Sequence, residues 1–273
     1  MKEKGQPLSA PSVRGKIHPD FDSVSFRETL ALGPRLLEHP GVKILLQERN
    51  RVGKINLPLN QQEKTPVVIK EFRTQGVDRL KSLFLSSKAS KAWKGGMALF
   101  NQGIPTPLPV AYLEKRSHGF VDESVFLSRW IEDAGEIRDL FQTAPPSKLK
   151  PLLSCLAHHL AFCHQKGLFH KDLSDGNILV QEVGSCSFQF YLIDTNRIRT
   201  RRKIGRWKGL KNLIRLGIPL RWQRFFLRNY LNQDRVKNIQ WLWYRGNKKM
   251  YTGWVEMKKK LGLRKLSQKL KIQ

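Results

Sequence analysis

The sequence predicts an α+β chain of two lobes, a small antiparallel β N-lobe followed by a mostly helical C-lobe. Three observations predict this. Between residues 42 and 70, short β-branched runs alternate with turn residues, as paired strands do. From Leu149 to Cys163, apolar residues recur at three-to-four spacing, the mark of a helix with one buried face. Beyond Asp194 the pattern stays helical but turns strongly basic. A length of 273 residues suffices for a buried core and fits two lobes sharing a cleft.

In chain order, residues 1–20 carry Gly, Pro and Ser without hydrophobic periodicity and read as a flexible leader. Residues 21–132 then form the N-lobe and 133–273 the C-lobe. Val42–Leu46 and Ile55–Leu59 read as strands joined by a turn over Glu48–Lys54, and Val67–Lys70, behind Pro66, as a buried third strand. Ser86–Gln102 is helical in composition apart from Gly95 and Gly96, and Gly103 stops it. A proline-bounded loop from Ile104 leads to a strand, and Ser124–Gly135 gives a further strand and a connector. Glu136–Phe141 is a short helix broken at Pro145–Pro146, with Ser147 placed to cap the long helix and Gly167 to end it. At the C-terminus, Leu261, Leu263, Leu266, Leu270 and Ile272 alternate with lysines in an amphipathic segment. It suits packing on the C-lobe and contact with a bilayer equally.

Composition narrows the class. Hydrophobic residues make up 40% of the chain, with 14 Phe and 7 Trp, which excludes wholesale disorder. No apolar run reaches the roughly 18 to 20 residues of a membrane-spanning helix, and the first residues lack the apolar core of a secretory signal. Cys155, Cys163 and Cys186 form no CxxC pair and are odd in number, which argues against a disulfide framework or zinc site and for a reducing, cytosolic compartment. The net charge is +28, concentrated at the C-terminal end: residues 197–273 hold 24 Lys plus Arg against Asp234 and Glu256, or +22. Such a field attracts a polyanion, whether phosphorylated lipid headgroups, phosphorylated glycan or nucleic acid, the alternative being a solvated basic surface with no specific partner.

The chemistry lies in GLFHKDLSDGNILV. His170, Lys171 and Asp172 are followed after four residues by Asn177, on a loop held between apolar Leu168–Phe169 and Ile178–Val180. Seventeen residues beyond Asn177, an aromatic and aliphatic strand delivers Asp194 at its end. Phosphoryl transfer needs metal ions across the phosphates and a carboxylate near the attacking hydroxyl, and Asp172, Asn177 and Asp194 have those chemistries at fitting spacings. Upstream, Lys70 ends a buried strand that would place its ammonium rigidly, as a point charge for nucleotide phosphates.

These residues resemble the protein-kinase-like superfamily. HKDLSDGNIL, LIDTNR and the upstream SKASKAWKGGMALFNQGIPTPLPVAYLE are similar to the bacterial lipopolysaccharide core kinases of the Kdo/heptose kinase type, over roughly Val42 to Leu231. The resemblance implies an ATP-dependent kinase of a heptose or Kdo hydroxyl. Asp172 would take the acceptor's proton, Asn177 and Asp194 would hold Mg2+, and Lys70 would hold the ATP phosphates. It further implies an anionic glycolipid acceptor and a peripheral, cytoplasmic location at the inner face of the inner membrane, with nucleic acid the disfavoured partner. Adenine would meet the connector at Trp130, Ile131 and Glu132, residues that equally suit an ordinary strand end.

Departures from the protein-kinase pattern sharpen the reading. In place of GxGxxG there is only Gly53, in ERNRVGK, where backbone amides helped by Arg49, Arg51 or Lys54 could reach a phosphate or simply form a hairpin turn. AspThrAsn stands where AspPheGly would, and no activation segment follows, which favours a constitutive small-molecule or glycan kinase. No glutamate lies between Glu71 and Glu114, so the usual helix partner for Lys70 is missing and only Asp78 is acidic. The competing readings are a phosphotransferase with a protein or small-molecule acceptor, a pseudokinase, and a basic binding module using Trp207, Trp222, Trp241, Trp243 and Trp254. His158, His159 and His164 read as helix-face residues, and Asp175 as a turn former or an orienter of the loop.

Overall fold

The computed structural model describes the chain except for residues 1–4, 11–12, 48–49, 59–63, 74–78, 80–81, 185 and 262–273. The Asp78 candidate and most of the C-terminal amphipathic segment lie outside the described residues. The chain divides into two units, Met1–Glu132 with Leu192–Ile198, and Asp133–Tyr191 with Arg199–Gln273. The short Leu192–Ile198 insert, which carries Asp194, therefore folds with the N-terminal unit.

The first unit is built on seven antiparallel strands: β1 (Gln6–Ala10), β2 (Val13–Ile17), β3 (Lys43–Gln47), β4 (Arg51–Pro58), β5 (Lys64–Arg73), β6 (Pro109–Ser117) and β7 (Phe120–Arg129). Their order is β1-β2-β6-β7-β5-β4-β3. Side chains alternate across β5: Val67 and Ile69 face one core with Phe26, Leu30 and Leu36, from helix α1 (Val24–Leu30) and the 3-10 turn Gly33–Glu38. Phe72 faces the other core, against Ala92, Trp93 and Met97 of helix α2 (Lys88–Phe100). Lys70 shares the α2-facing side.

Residues expected to be a flexible leader instead supply β1 and β2. Val13 and Ile17 are buried, and β2 pairs with β6 from Val13↔Lys115 to Ile17↔Ala111. Gly15, which reads as flexible in sequence, allows backbone contact: a Cβ there would sit 1.9 Å from the Tyr112 carbonyl oxygen. The expected placement of Gly53 and Lys54 in a turn is also corrected, because both lie within β4, opposite Ile69 and Val68 of β5. A Cβ on Gly53 would come 2.8 Å from Leu37 Cδ2 and 2.6 Å from Val42 Cγ1, so this glycine makes room for the core.

The second unit holds β8 (Ala134–Glu136), β9 (Leu168–His170), β10 (Ile178–Gly184) and β11 (Ser187–Leu192), with β11, β10 and β8 forming one small sheet. Its helices are α3 (Ile137–Thr143), α4 (Pro146–Gln165), α5 (Arg206–Leu213), α6 (Gln223–Leu231) and α7 (Asn238–Lys260). Ser147 is not the cap of α4. Pro146 occupies its first turn, where a missing N–H costs nothing, and Pro145 is the cap residue. Leu149, Leu152, Leu153, Leu156 and Leu160 are buried, as their spacing requires. Gly167 ends α4 with φ +72°, beside the Arg201 carbonyl at a distance that leaves no room for a Cβ.

Candidate active site

In the N-terminal unit the central feature is an ion pair that spans 124 positions of sequence. Lys70 Nζ, on β5, lies 2.5 Å from Asp194 Oδ1. Asp194 reaches this position through a left-handed backbone, φ 54° and ψ 44°, a region that aspartate enters more readily than most residues other than glycine. Hydrogen bonds hold the chain on both sides of it. Thr106 Oγ1 donates to the Leu192 carbonyl at 2.8 Å, and Thr195 Oγ1 donates to the Ala92 carbonyl of α2 at 2.8 Å. Gly95 lets α2 approach the turn, since a Cβ there would stand 2.0 Å from the Thr195 carbonyl oxygen. The helix that lacks a glutamate thus contributes backbone contacts that hold Asp194, and Asp194 serves as the acidic partner of Lys70.

Neighbouring Glu71 points to the opposite face, is 1% exposed, and is held by Arg51 at 2.6 Å and Arg73 at 2.7 Å. Nothing in the sequence singled out this buried glutamate and its two arginines, half-buried Arg51 and exposed Arg73, although strand alternation puts Glu71 on the face of Val67 and Ile69. At the end of β7, Lys54 Nζ lies 4.2 Å from the Trp130 ring centroid and 3.5 Å from Glu132 Oε1, so three of the predicted nucleotide residues come together. The Trp130 amide is committed to the Pro66 carbonyl at 2.9 Å, which removes it as an adenine donor. Its indole Nε1 is buried with no partner among the described residues.

In the C-terminal unit the His170–Asn177 loop is fixed from within. The Asp172 amide donates to His170 Nδ1 at 3.1 Å, and Asn177 Nδ2 donates to the Asp172 carbonyl at 2.8 Å, so both flanks of the Asp172 backbone are pinned. Beneath the loop, Asn212 Nδ2 donates to the His170 carbonyl at 2.7 Å, while Asn212 Oδ1 lies 3.0 Å from His164 Nε2 and Tyr230 Oη lies 2.6 Å from His164 Nδ1. His164 is 5% exposed, and burial lowers its pKa. The reading of His164 as an ordinary helix-face residue is therefore incomplete. It falls in the α4 stripe that runs through Leu160, and that periodicity was the available signal.

Arg215 was not singled out in sequence. Its Nη1 lies 2.5 Å from Asp172 Oδ1, and its guanidinium carbon lies 5.6 Å from the Tyr251 ring centroid. The segment bearing it is held by Lys248 of α7, whose ammonium donates to the carbonyls of Ile214 at 3.0 Å and Leu216 at 2.6 Å. Burial lowers the Lys248 pKa to about 8, an effect that Asp175 partly opposes. Asp175 also lies 3.8 Å from the Arg138 Nε and opens the 3-10 turn Asp175–Asn177, so it serves both as turn former and as a charge on the loop. Among the described residues no cluster of three His, Cys, Asp or Glu forms a ready-made metal centre.

A lysine held by the aspartate after a hairpin, and a separately pinned HxDxxxxN loop, define a kinase-like phosphotransferase. The comparisons resolve the branch. The model of the lipopolysaccharide kinase (Kdo/WaaP) family matches residues 78–233, more than half of the chain. No curated protein matches it. Among solved structures, WaaP in complex with acyl carrier protein is similar at a TM-score of 0.55 and 21% identity, over 77% of this chain and 88% of that one. The chain belongs to the lipopolysaccharide kinase (Kdo/WaaP) family, and its fold is the bilobal protein-kinase-like one. It is accordingly a kinase that uses ATP to phosphorylate a sugar hydroxyl of the lipopolysaccharide core.

Proposed function

We propose that the acceptor is a heptose or Kdo hydroxyl, that Asp172 is the catalytic base, and that the protein works with Mg2+ as a peripheral protein on the cytoplasmic face of the inner membrane. The observation that carries this reading is Asp172, a carboxylate whose backbone is hydrogen-bonded on both flanks by the loop's own His170 and Asn177. In this reading Asp172 accepts the proton of the sugar hydroxyl as its oxygen bonds to the γ-phosphorus, and the bond to the β-phosphate oxygen breaks to release ADP. Lys70, which Asp194 holds in place, would supply positive charge to the nucleotide phosphates. Oxygen donors suit magnesium, and the Asp194 carboxylate and Asn177 Oδ1 are of that kind. The ion, when bound, offsets phosphate charge. Lys54 and the Trp130 indole line the nucleotide's approach, and the adenine contacts fall to the backbone of Ile131 and Glu132. Gly53 is set aside because its open face is filled by Leu37 and Val42.

The +22 charge of residues 197–273 supports an acceptor in an anionic surface. The test is transfer of labelled phosphate from ATP and Mg2+ to purified core lipopolysaccharide in detergent, using acceptors that end at Kdo and acceptors that carry heptose. Labelling of one glycolipid that Asp172→Ala abolishes is the expected result. Equal labelling by wild type and variant would overturn the role of Asp172, and labelling of neither acceptor would overturn the choice of sugar.

A further inference from the structure

Helix α7 has two faces of different character. One packs into the C-terminal unit through Gln240 and Tyr244, 2% and 0% exposed, and through Lys248. The other is apolar and open: Ile239, Leu242, Met250, Trp254 and Met257 are 67%, 69%, 75%, 49% and 49% exposed. At 100° per residue these five, with Gly246 and Gly253, fall within an arc of about 120° that runs the helix's length of about 34 Å. A contiguous apolar stripe of this kind on a charged protein marks a contact surface.

Its flanks indicate what it contacts. α7 contains one acid, Glu256, against Arg245, Lys248, Lys249, Lys258, Lys259 and Lys260. Lys249 and Lys260 are exposed along one border of the stripe, and Lys258 Nζ stands 3.6 Å from the Trp254 ring centroid on the other. Trp207 of α5, 44% exposed, widens the surface by packing on Trp243 with centroids 5.4 Å apart. Apolar residues bordered by lysines, with tryptophans at the margin, match the layering of an anionic bilayer from acyl chains to phosphates. No helix among the described residues is long and apolar enough to cross a membrane, so such a stripe would lie in the plane of the interface.

We infer that the exposed face of α7 docks the C-terminal unit on an anionic phospholipid surface, with Leu242, Met250 and Trp254 entering the boundary between headgroups and acyl chains. This rests on the peripheral-membrane reading above and names the element responsible. A consequence follows from the opposite face of the same helix. Lys248 and Tyr251 hold the segment of Arg215, which pairs with Asp172, so the helix that meets the lipid also carries the support of the catalytic loop.

The test is co-sedimentation of the full chain with vesicles of phosphatidylglycerol and phosphatidylethanolamine, and with phosphatidylcholine alone. Leu242→Gln with Met250→Gln replaces two side chains that are mostly in solvent, and kinase activity on detergent-dispersed acceptor should stay unchanged. The expected result is binding to the anionic vesicles only, weakened by at least about tenfold in the double variant and by added salt. Undiminished vesicle binding by the double variant would overturn the inference. So would light scattering that shows a wild-type dimer which the variant dissociates without loss of vesicle binding, since the stripe would then join two copies. Retained phosphorylation in detergent alongside either outcome would leave the kinase reading standing.

Discussion

Replacing Lys248 with methionine should separate the charge of this residue from its volume, and the structure sets the size of the effect. The ammonium is largely enclosed, which lowers its pKa from 10.5 to about 8. In the unfolded chain the lysine keeps its proton until near 10.5. Between these values the unfolded state therefore binds more protons than the folded state, and stability rises with pH across that window. From pH 7 to pH 10 the rise amounts to roughly 2 to 3 kcal/mol for a displacement of this size. Methionine fills similar volume and does not titrate, so the variant lacks this increment. At pH 7 it loses two charge-assisted hydrogen bonds to the Ile214 and Leu216 carbonyls, about 1.5 to 3 kcal/mol each, but escapes a desolvation cost of about 3 kcal/mol. The two chains should therefore differ by no more than about 3 kcal/mol at neutral pH, and the variant should fall behind by roughly a further 2 to 3 kcal/mol at pH 10.

The assay is denaturant unfolding of both chains at the two pH values, in which groups common to both cancel. A difference between the chains that is the same at pH 7 and pH 10 would refute the argument. Because Lys248 holds the segment that bears Arg215, the variant should also lose turnover, with less effect on KM for ATP. A stability effect without loss of turnover would make Lys248 a folding group only.

Three further outcomes follow from the geometry. Arg215→Ala should lower kcat by about ten- to a hundredfold with KM for ATP little changed, and Arg215→Lys should recover part of the loss; equal effects on kcat and on unfolding midpoint in both variants would assign Arg215 to stability alone. Gly95→Ala forces a methyl to 2.0 Å from the Thr195 carbonyl oxygen, so it should destabilise by about 1 to 3 kcal/mol in thermal unfolding and depress activity through Asp194. Burial lowers the His159 pKa to about 4, so as pH falls from 6.5 to 4 the unfolded state takes up a proton that the folded state refuses. The stability lost should reach about 3 kcal/mol, and His159→Phe, beside Phe190, should flatten that acid limb in pH-dependent unfolding.

What could be read from the sequence divides according to whether the cause is local. The His170–Asn177 loop is legible because His170 and Asn177 fix Asp172 across two and five residues, so the spacing in the sequence is the geometry of the site. Helix α4 is legible for the same reason, since its buried stripe repeats with the helix itself. The partner of Lys70 is not local. Helix α2 contains no acid, and the pairing is made 124 residues away by Asp194 at a strand exit that Thr106 and Thr195 hold on either side. The two N-terminal strands were hidden by composition: Val13, Gly15 and Ile17 do alternate, but a glycine chosen for close backbone approach is indistinguishable in sequence from one chosen for flexibility. Arg215 is the hardest case. It stands among 24 cations in residues 197–273, and an abundant residue type carries little information at any one position. What sets it apart is a contact with Asp172 and the lysine that braces its backbone, both products of tertiary packing. The basic C-terminal region thus contains at least two kinds of cation, those such as Lys249 and Lys260 that give a field at the surface and those such as Arg215 and Lys248 that are built into the C-terminal unit through Asp172 and the Ile214 and Leu216 carbonyls, and only burial and partners tell them apart.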